Sequence, residues 1–160
     1  MILAVLMAMN VTSPSFKAGG EIPKRHTCQG EDVAPALAWS DVPPGSKTLA
    51  LVVDDPDAPD PAAPKKTWVH WVVYDIPATA SGLPDGGALP PGARVAKNDF
   101  GKAAWGGPCP PIGRHRYFFK LYALDANLPA GLANKADLEK AMKGHVLGEA
   151  RLMGTYQKGR

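Results

Sequence analysis

The stretch Thr48-Leu49-Ala50-Leu51-Val52-Val53, which runs directly into Asp54-Asp55-Pro56-Asp57, sets the fold class. A short apolar run rich in branched side chains and closed by a turn signal reads as a strand rather than a helix. Trp68 to Ile76, ended by Pro77, and Arg116 to Leu124, ended by Asp125, have the same character. Leu3 to Val11 and Ala36 to Trp39 are weaker strand candidates. Long Pro/Gly segments separate them, Ala58 to Lys66, Ala78 to Arg94 and Gly101 to Gly113, and connections of that length are usually functional. Only the C-terminal region reads as helix: Asn134 is placed to cap it with Asp137 at the third helical position. Leu138, Ala141, Met142, His145 and Val146 share one face of it, interrupted by Gly144 and Gly148. The expected chain is mostly β: an antiparallel β-sandwich with long Pro/Gly loops and a short C-terminal helical segment, in which strands are followed by a terminal helix.

Length and composition fit that class. The 160 residues suit a single domain spanning residues 1–160. A chain of this size buries about 69% of its unfolded surface, so it folds without a structural metal or a disulfide scaffold. The 17 Pro and 17 Gly are dispersed, which excludes collagen, coiled coil and most all-helical folds. A net charge of +3 without a basic run gives no groove for a phosphate backbone, so no nucleic-acid partner is expected. Met1 to Met9 is apolar but too short to span a bilayer and lacks a positive leading region, so a cytoplasmic location is expected. A periplasmic one follows if the segment is part of an export signal. Cys28 and Cys109 lack metal or redox spacing and read as two free thiols, or as one bridge in an exported protein.

Side chains alternate faces along a strand, so parity shows which polar groups share a side. Asp55 and Asp57 continue the face of Leu49, Leu51 and Val53, whereas Asp54 has the opposite parity. His70 falls with Trp68, Val72 and Tyr74, and His115 with Tyr117, Phe119 and Leu121. Polar groups on apolar faces are costly to bury separately, so a shared cavity is the economical arrangement. The loop Trp105-Gly106-Gly107-Pro108-Cys109-Pro110-Pro111-Ile112-Gly113 combines close-approach glycines with path-fixing prolines, which suits a rigid rim whose N–H groups face an anion.

These pieces carry a resemblance. Asp55-Pro56-Asp57-Ala58-Pro59, Trp68-Val69-His70-Trp71, Asn98-Asp99-Phe100-Gly101, Gly106-Gly107-Pro108-Cys109-Pro110-Pro111 and Gly113-Arg114-His115-Arg116-Tyr117 resemble, in this order, the motifs of the phosphatidylethanolamine-binding protein family, which includes Raf kinase inhibitor protein. The resemblance is to the bacterial branch and covers nearly the whole chain. It implies a β-sandwich with a small anion pocket at one end. In that pocket Asp55, Asp57, His70, His115 and Tyr117 match ligand-binding positions and Gly107 and Pro108 match the rim.

The expected function is a non-catalytic binding module for a phosphate-like anion, a phosphoethanolamine or other phospholipid headgroup, or a phosphorylated partner. A kinase or protease inhibitor role and a homodimer are compatible with it, and no cofactor, metal or catalytic residue is called for. An aspartate accepting from an imidazole N–H would favour imidazolium, leaving the second ring nitrogen and the Tyr117 hydroxyl for the ligand. Sulfate affinity would then fall between about pH 6 and 8 as His70 or His115 loses its proton, and His115→Gln would flatten that dependence if His115 is the titrating ring. The rival is a small hydrolase or metal-dependent enzyme using the same His/Asp pocket. None of Ser13, Ser15, Ser40, Ser46 and Ser81 lies in a nucleophile elbow, and the histidines lack zinc-protease spacing.

Overall fold

In the computed structural model, which describes residues 8–159, the elements follow the chain as β1 (Asn10–Thr12), β2 (Leu37–Ser40), β3 (Thr48–Ala58), β4 (Lys66–Pro77), β5 (Gly82–Leu83), β6 (Arg94–Val95), β7 (Arg114–Leu124), α1 (Lys135–Met142) and β8 (Val146–Gln157). They build two antiparallel sheets, one in the order β1-β2-β5 and one in the order β6-β4-β3-β7-β8. Strand β3 sits at the centre of the larger sheet. Its apolar run is continuous because both faces are buried. Leu49, Leu51 and Val53 pack with Trp71, Phe119 and Leu121 toward Val11, Leu37, Trp39 and Leu83 of the smaller sheet. On the other face Ala50 and Val52 pack with Val72, Tyr74, Leu124, Leu138 and Met142, where α1 lies.

The helix begins as its sequence requires, with the Asn134 side chain accepting from the Asp137 N–H at 2.9 Å. It ends sooner than expected. Lys143 leaves helical geometry at ψ 123° and Gly144 takes φ +84°, so His145 and Val146 do not belong to it. The chain closes on β8, a strand where helix was expected. Its alternation is carried by Ala150, Leu152, Gly154 and Tyr156, and two of these are too small to mark a face in sequence. Of the expected strand Leu3 to Val11, residues 3–7 lie outside the described residues, and the observed strand begins at Asn10. The free-thiol reading is also corrected: Cys28 and Cys109 are joined, with Cα atoms 5.4 Å apart.

Asp54 fastens α1 to the sheet. It is 1% exposed, and its Oδ2 accepts from Lys120 at 3.0 Å and Lys135 at 2.9 Å, the latter at the first turn of the helix. Burial works against the Lys135 charge, but its bond to Asp54 and the attraction of Asp54 and Glu139 together outweigh this and raise its pKa. Leu138 supplies the apolar half of the attachment and is fully buried. Replacing it by Ala should cost about 2–4 kcal/mol. The expected readout is a lower urea midpoint with an unchanged slope.

Candidate functional site

The end of the sandwich where β3 leaves the core carries a cavity of about 230 Å³. Its walls are Asp55, Ala58 and Pro59 after the β3 core run, Trp68 and His70 from β4, Phe100, Cys109, Pro110 and Pro111 from loops, and His115 and Tyr117 from β7. Four of the expected residues, Asp55, His70, His115 and Tyr117, thus meet there. Strand parity places three of them. His70 reaches the site by a different device. The β3–β4 register passes from Val53↔Trp71 to Asp54↔Val69, so His70 is the extra residue of a β-bulge. A bulge re-aims side chains, and it separates His70 from Val72 and Tyr74, which face α1.

The bulge is held by the loop across it. His70 Nδ1 donates to the Gly106 carbonyl at 2.6 Å, and the Gly106 N–H returns a bond to the His70 carbonyl at 3.0 Å. A Cβ on Gly106 would sit 2.5 Å from the Phe100 ring, so any other residue there would have to displace that ring from the cavity wall. The buried Asn98 braces the same loop, donating to the His70 and Ala104 carbonyls and accepting from the Phe100 and Lys102 N–H groups. With Nδ1 spent on a carbonyl, neutral His70 must carry its proton there, which leaves Nε2 as an acceptor. Burial pushes its pKa below the ordinary histidine value, opposed by the Gly106 bond and by Asp55.

His115 is arranged otherwise. Its Nδ1 lies 2.5 Å from Asp55 Oδ2, and its Nε2 lies 2.9 Å from the Ile112 carbonyl. Both partners are acceptors, so the geometry is matched by an imidazolium donating at each nitrogen. Asp55 Oδ1 in turn accepts from the Asp57 N–H at 2.7 Å. The expectation that the second nitrogen of an aspartate-paired histidine faces a ligand is corrected here: the rim carbonyl takes it.

The other three expected residues stand behind the wall. Asp57 is held by Arg116, through Nε at 3.0 Å, Nη2 at 2.8 Å and the backbone N–H at 2.9 Å. The Gly107 N–H donates to Asp32 Oδ1 at 2.8 Å, and a Cβ on Gly107 would lie 2.2 Å from the His26 carbonyl. The Pro108 carbonyl accepts from Cys28 at 3.1 Å. These two residues therefore clamp the rim to the Cys28 segment and expose no N–H to the cavity. The lining residues that the sequence reading left unassigned are Trp68, Phe100 and the Pro59 and Pro110–Pro111 turns. Trp68 and Phe100 belong to motifs already quoted, so that signal was present.

After these commitments, three polar side-chain atoms of lining residues have no hydrogen-bond partner among the described residues: His70 Nε2, the Tyr117 hydroxyl and the buried Trp68 Nε1. The His70 and Tyr117 rings meet edge to face with centroids 5.2 Å apart. Burial, then Asp55 and Asp57, push the Tyr117 phenol far up, so it stays a donor. The wall therefore carries one free acceptor, His70 Nε2, beside the Tyr117 donor, with Trp68 Nε1 a second unpaired donor and no lysine or arginine.

Comparison with known proteins gives a consistent answer. The family profile described as phosphatidylethanolamine-binding protein matches residues 12–157. A UPF0098 protein of Methanothermobacter thermautotrophicus is 50% identical over 157 residues, covering 94% of this chain and 100% of that protein. The solved structure of CT736, a phosphatidylethanolamine-binding protein homologue of Chlamydia trachomatis, is 41% identical with a TM-score of 0.88, covering 95% of this chain and 99% of that one. E. coli YbcL, described as a member of the mammalian family, is 35% identical with a TM-score of 0.85, covering 96% and 100%.

Arg116 holds Asp57 below the ordinary carboxylate range, against the opposing effect of burial. Such a group binds its proton less readily folded than unfolded, so its stabilisation is present above about pH 4 and is lost as pH falls through the lowered value. Asp57→Asn should cost about 1–2 kcal/mol at pH 7, a figure kept small because Arg116 is half exposed. The deficit should shrink as pH falls below about 4, which urea titrations of both proteins at pH 7 and at successively lower pH will read.

Proposed function

The chain belongs to the phosphatidylethanolamine-binding protein family, and from that membership and the cavity we propose that it is a non-catalytic binding protein whose pocket takes a phosphate-like anion or headgroup. The observation that carries this reading is that His70 Nε2 and the Tyr117 hydroxyl, neither of them hydrogen-bonded within the protein, line one mostly apolar cavity with their rings edge to face. Phosphate oxygens and hydroxyls match that pair. A phosphoethanolamine headgroup or a phosphorylated protein brings the same group. A partner of the kinase or protease type would also meet Phe100 of the cavity wall, 44% exposed, and Ile112, 53% exposed and next in the chain to the lining Pro111.

Hydrolase chemistry is less well supported by the same walls. No serine or threonine lines the cavity, Cys109 is bridged, and Nδ1 of His70 rests on a carbonyl rather than on an orienting carboxylate. A metal would need the Asp55 and His115 atoms that already bond each other and the rim, and no cluster of metal-ligating groups forms among the described residues. The bridge supports the periplasmic alternative, since disulfides persist in oxidising compartments.

Titration calorimetry with inorganic phosphate and phosphoethanolamine tests the reading. Tyr117→Phe should weaken both about fivefold or more through loss of one donor. Sulfate carries no proton and needs imidazolium at His70, whose pKa is lowered by burial. Its affinity should therefore be weak at pH 7 and rise as pH falls below about 6.5, a lower window than the sequence alone suggested. Absence of anion binding together with stoichiometric zinc retention would overturn the proposal in favour of the metal reading.

A further inference from the structure

We propose that the pocket selects oxyanions that retain an acidic proton, phosphomonoesters above all, and discriminates against diesters and sulfates of the same size. The inference rests on the anion reading above and narrows it. Its basis is the fixed hydrogen-bond polarity of the cavity. The Gly106 carbonyl 2.6 Å from Nδ1 dictates the tautomer of His70, so Nε2 presents a lone pair. The neighbouring free group, the Tyr117 hydroxyl, is a donor.

A phosphomonoester monoanion, with one P–OH and unprotonated oxygens beside it, satisfies both at once. The P–OH donates to Nε2, and an adjacent oxygen accepts from Tyr117. Only one proton lies between imidazole and ligand, and the ligand brings it, so binding leaves the proton count of the solution unchanged. A phosphodiester or a sulfate ester directs oxygen lone pairs at the Nε2 lone pair. It must draw a proton from solvent on to a ring whose burial disfavours the charge.

Asp55, Asp54 and Asp32 each favour the charged ring, but burial outweighs them, and no ionisable group in the wall is free to hand His70 a proton. Asp55 on β3 and His115 on β7 are committed to one another and to the Ile112 carbonyl, and Tyr117 on β7 remains neutral. No ionisable residue from the loops carrying Phe100 or Cys109 to Pro111 lines the cavity, and Trp68 on β4 is neutral. The fold thus spends both ring nitrogens of His115 on structure and offers the ligand, at His70, a ring whose tautomer a carbonyl fixes.

Methyl phosphate and methyl sulfate form the decisive pair. At about pH 5.5, below the second ionisation of a phosphomonoester near pH 6, the two have the same shape and single charge and differ by one proton. Calorimetry in two buffers of different ionisation enthalpy is expected to give methyl phosphate at least tenfold tighter binding with no net proton uptake. Methyl sulfate, and dimethyl phosphate as the mimic of a lipid diester, should bind weakly and take up close to one proton each. His70→Gln supplies an amide N–H in place of the acceptor and should bring methyl sulfate to within about threefold of methyl phosphate. The wild-type comparison stands by itself if that variant folds poorly. Equal wild-type affinities for all three probes would overturn the proton selection and leave the anion pocket standing. Failure of all three to bind would overturn both.

Discussion

The hydrogen bond from His115 Nδ1 to Asp55 Oδ2 is buried from end to end, with His115 fully inaccessible and Asp55 3% exposed. At that depth a lone carboxylate or a lone imidazolium would be far more costly than the matched pair. The pair therefore binds two strands and a loop into one unit. Asp55 belongs to β3, His115 to β7, and the second imidazole nitrogen reaches the Ile112 carbonyl of the rim. Removing either partner would leave the other charge buried without compensation and free the rim turn that follows Pro110 and Pro111. The cavity keeps its shape because its back wall is an ion pair with all of its principal hydrogen-bond capacity used.

The same logic extends along the end of β3. Asp54, Asp55 and Asp57 are all buried, and each is answered by a different cation: the two lysines at Lys120 and Lys135, the imidazole of His115, and the guanidinium of Arg116. Read as sequence, Asp-Asp-Pro-Asp is a turn signal. In the fold it is a hub from which one carboxylate fastens the helix, one holds the rim and one anchors the start of β7. A negative strand end beside a proposed anion pocket is tolerable because none of its carboxylates is left unanswered toward the cavity.

Much of this was legible. The centre of the sheet, the helix cap at Asn134 and the meeting of Asp55, His115 and Tyr117 all follow from local pattern or strand parity. What escaped did so for identifiable reasons. Parity assumes an unbroken ladder, and the bulge at His70 adds a residue that no period-two count detects. Strand β8 buries Ala150 and Gly154 where a recognisable strand would carry large apolar groups, so its alternation stays below the helix-like pattern just before it. Gly107 and Pro108 drew attention as rim residues, but tight approach to the His26 carbonyl, not ligand contact, explains the glycine.

The two histidines show why residue type alone could not assign roles. Each lies on an apolar strand, each lines the same cavity, and each uses Nδ1 in a short hydrogen bond. One bond ends on a carboxylate and the other on a carbonyl. The carboxylate at His115 matches a charged ring and consumes it in the wall. The carbonyl at His70 fixes a tautomer without supplying charge, and burial then keeps that ring neutral. Groups of one chemical kind thereby take different parts in one cavity wall. The difference is made by the partner atom of Nδ1, and that partner is set by a bulge and by a glycine packed against the Phe100 ring.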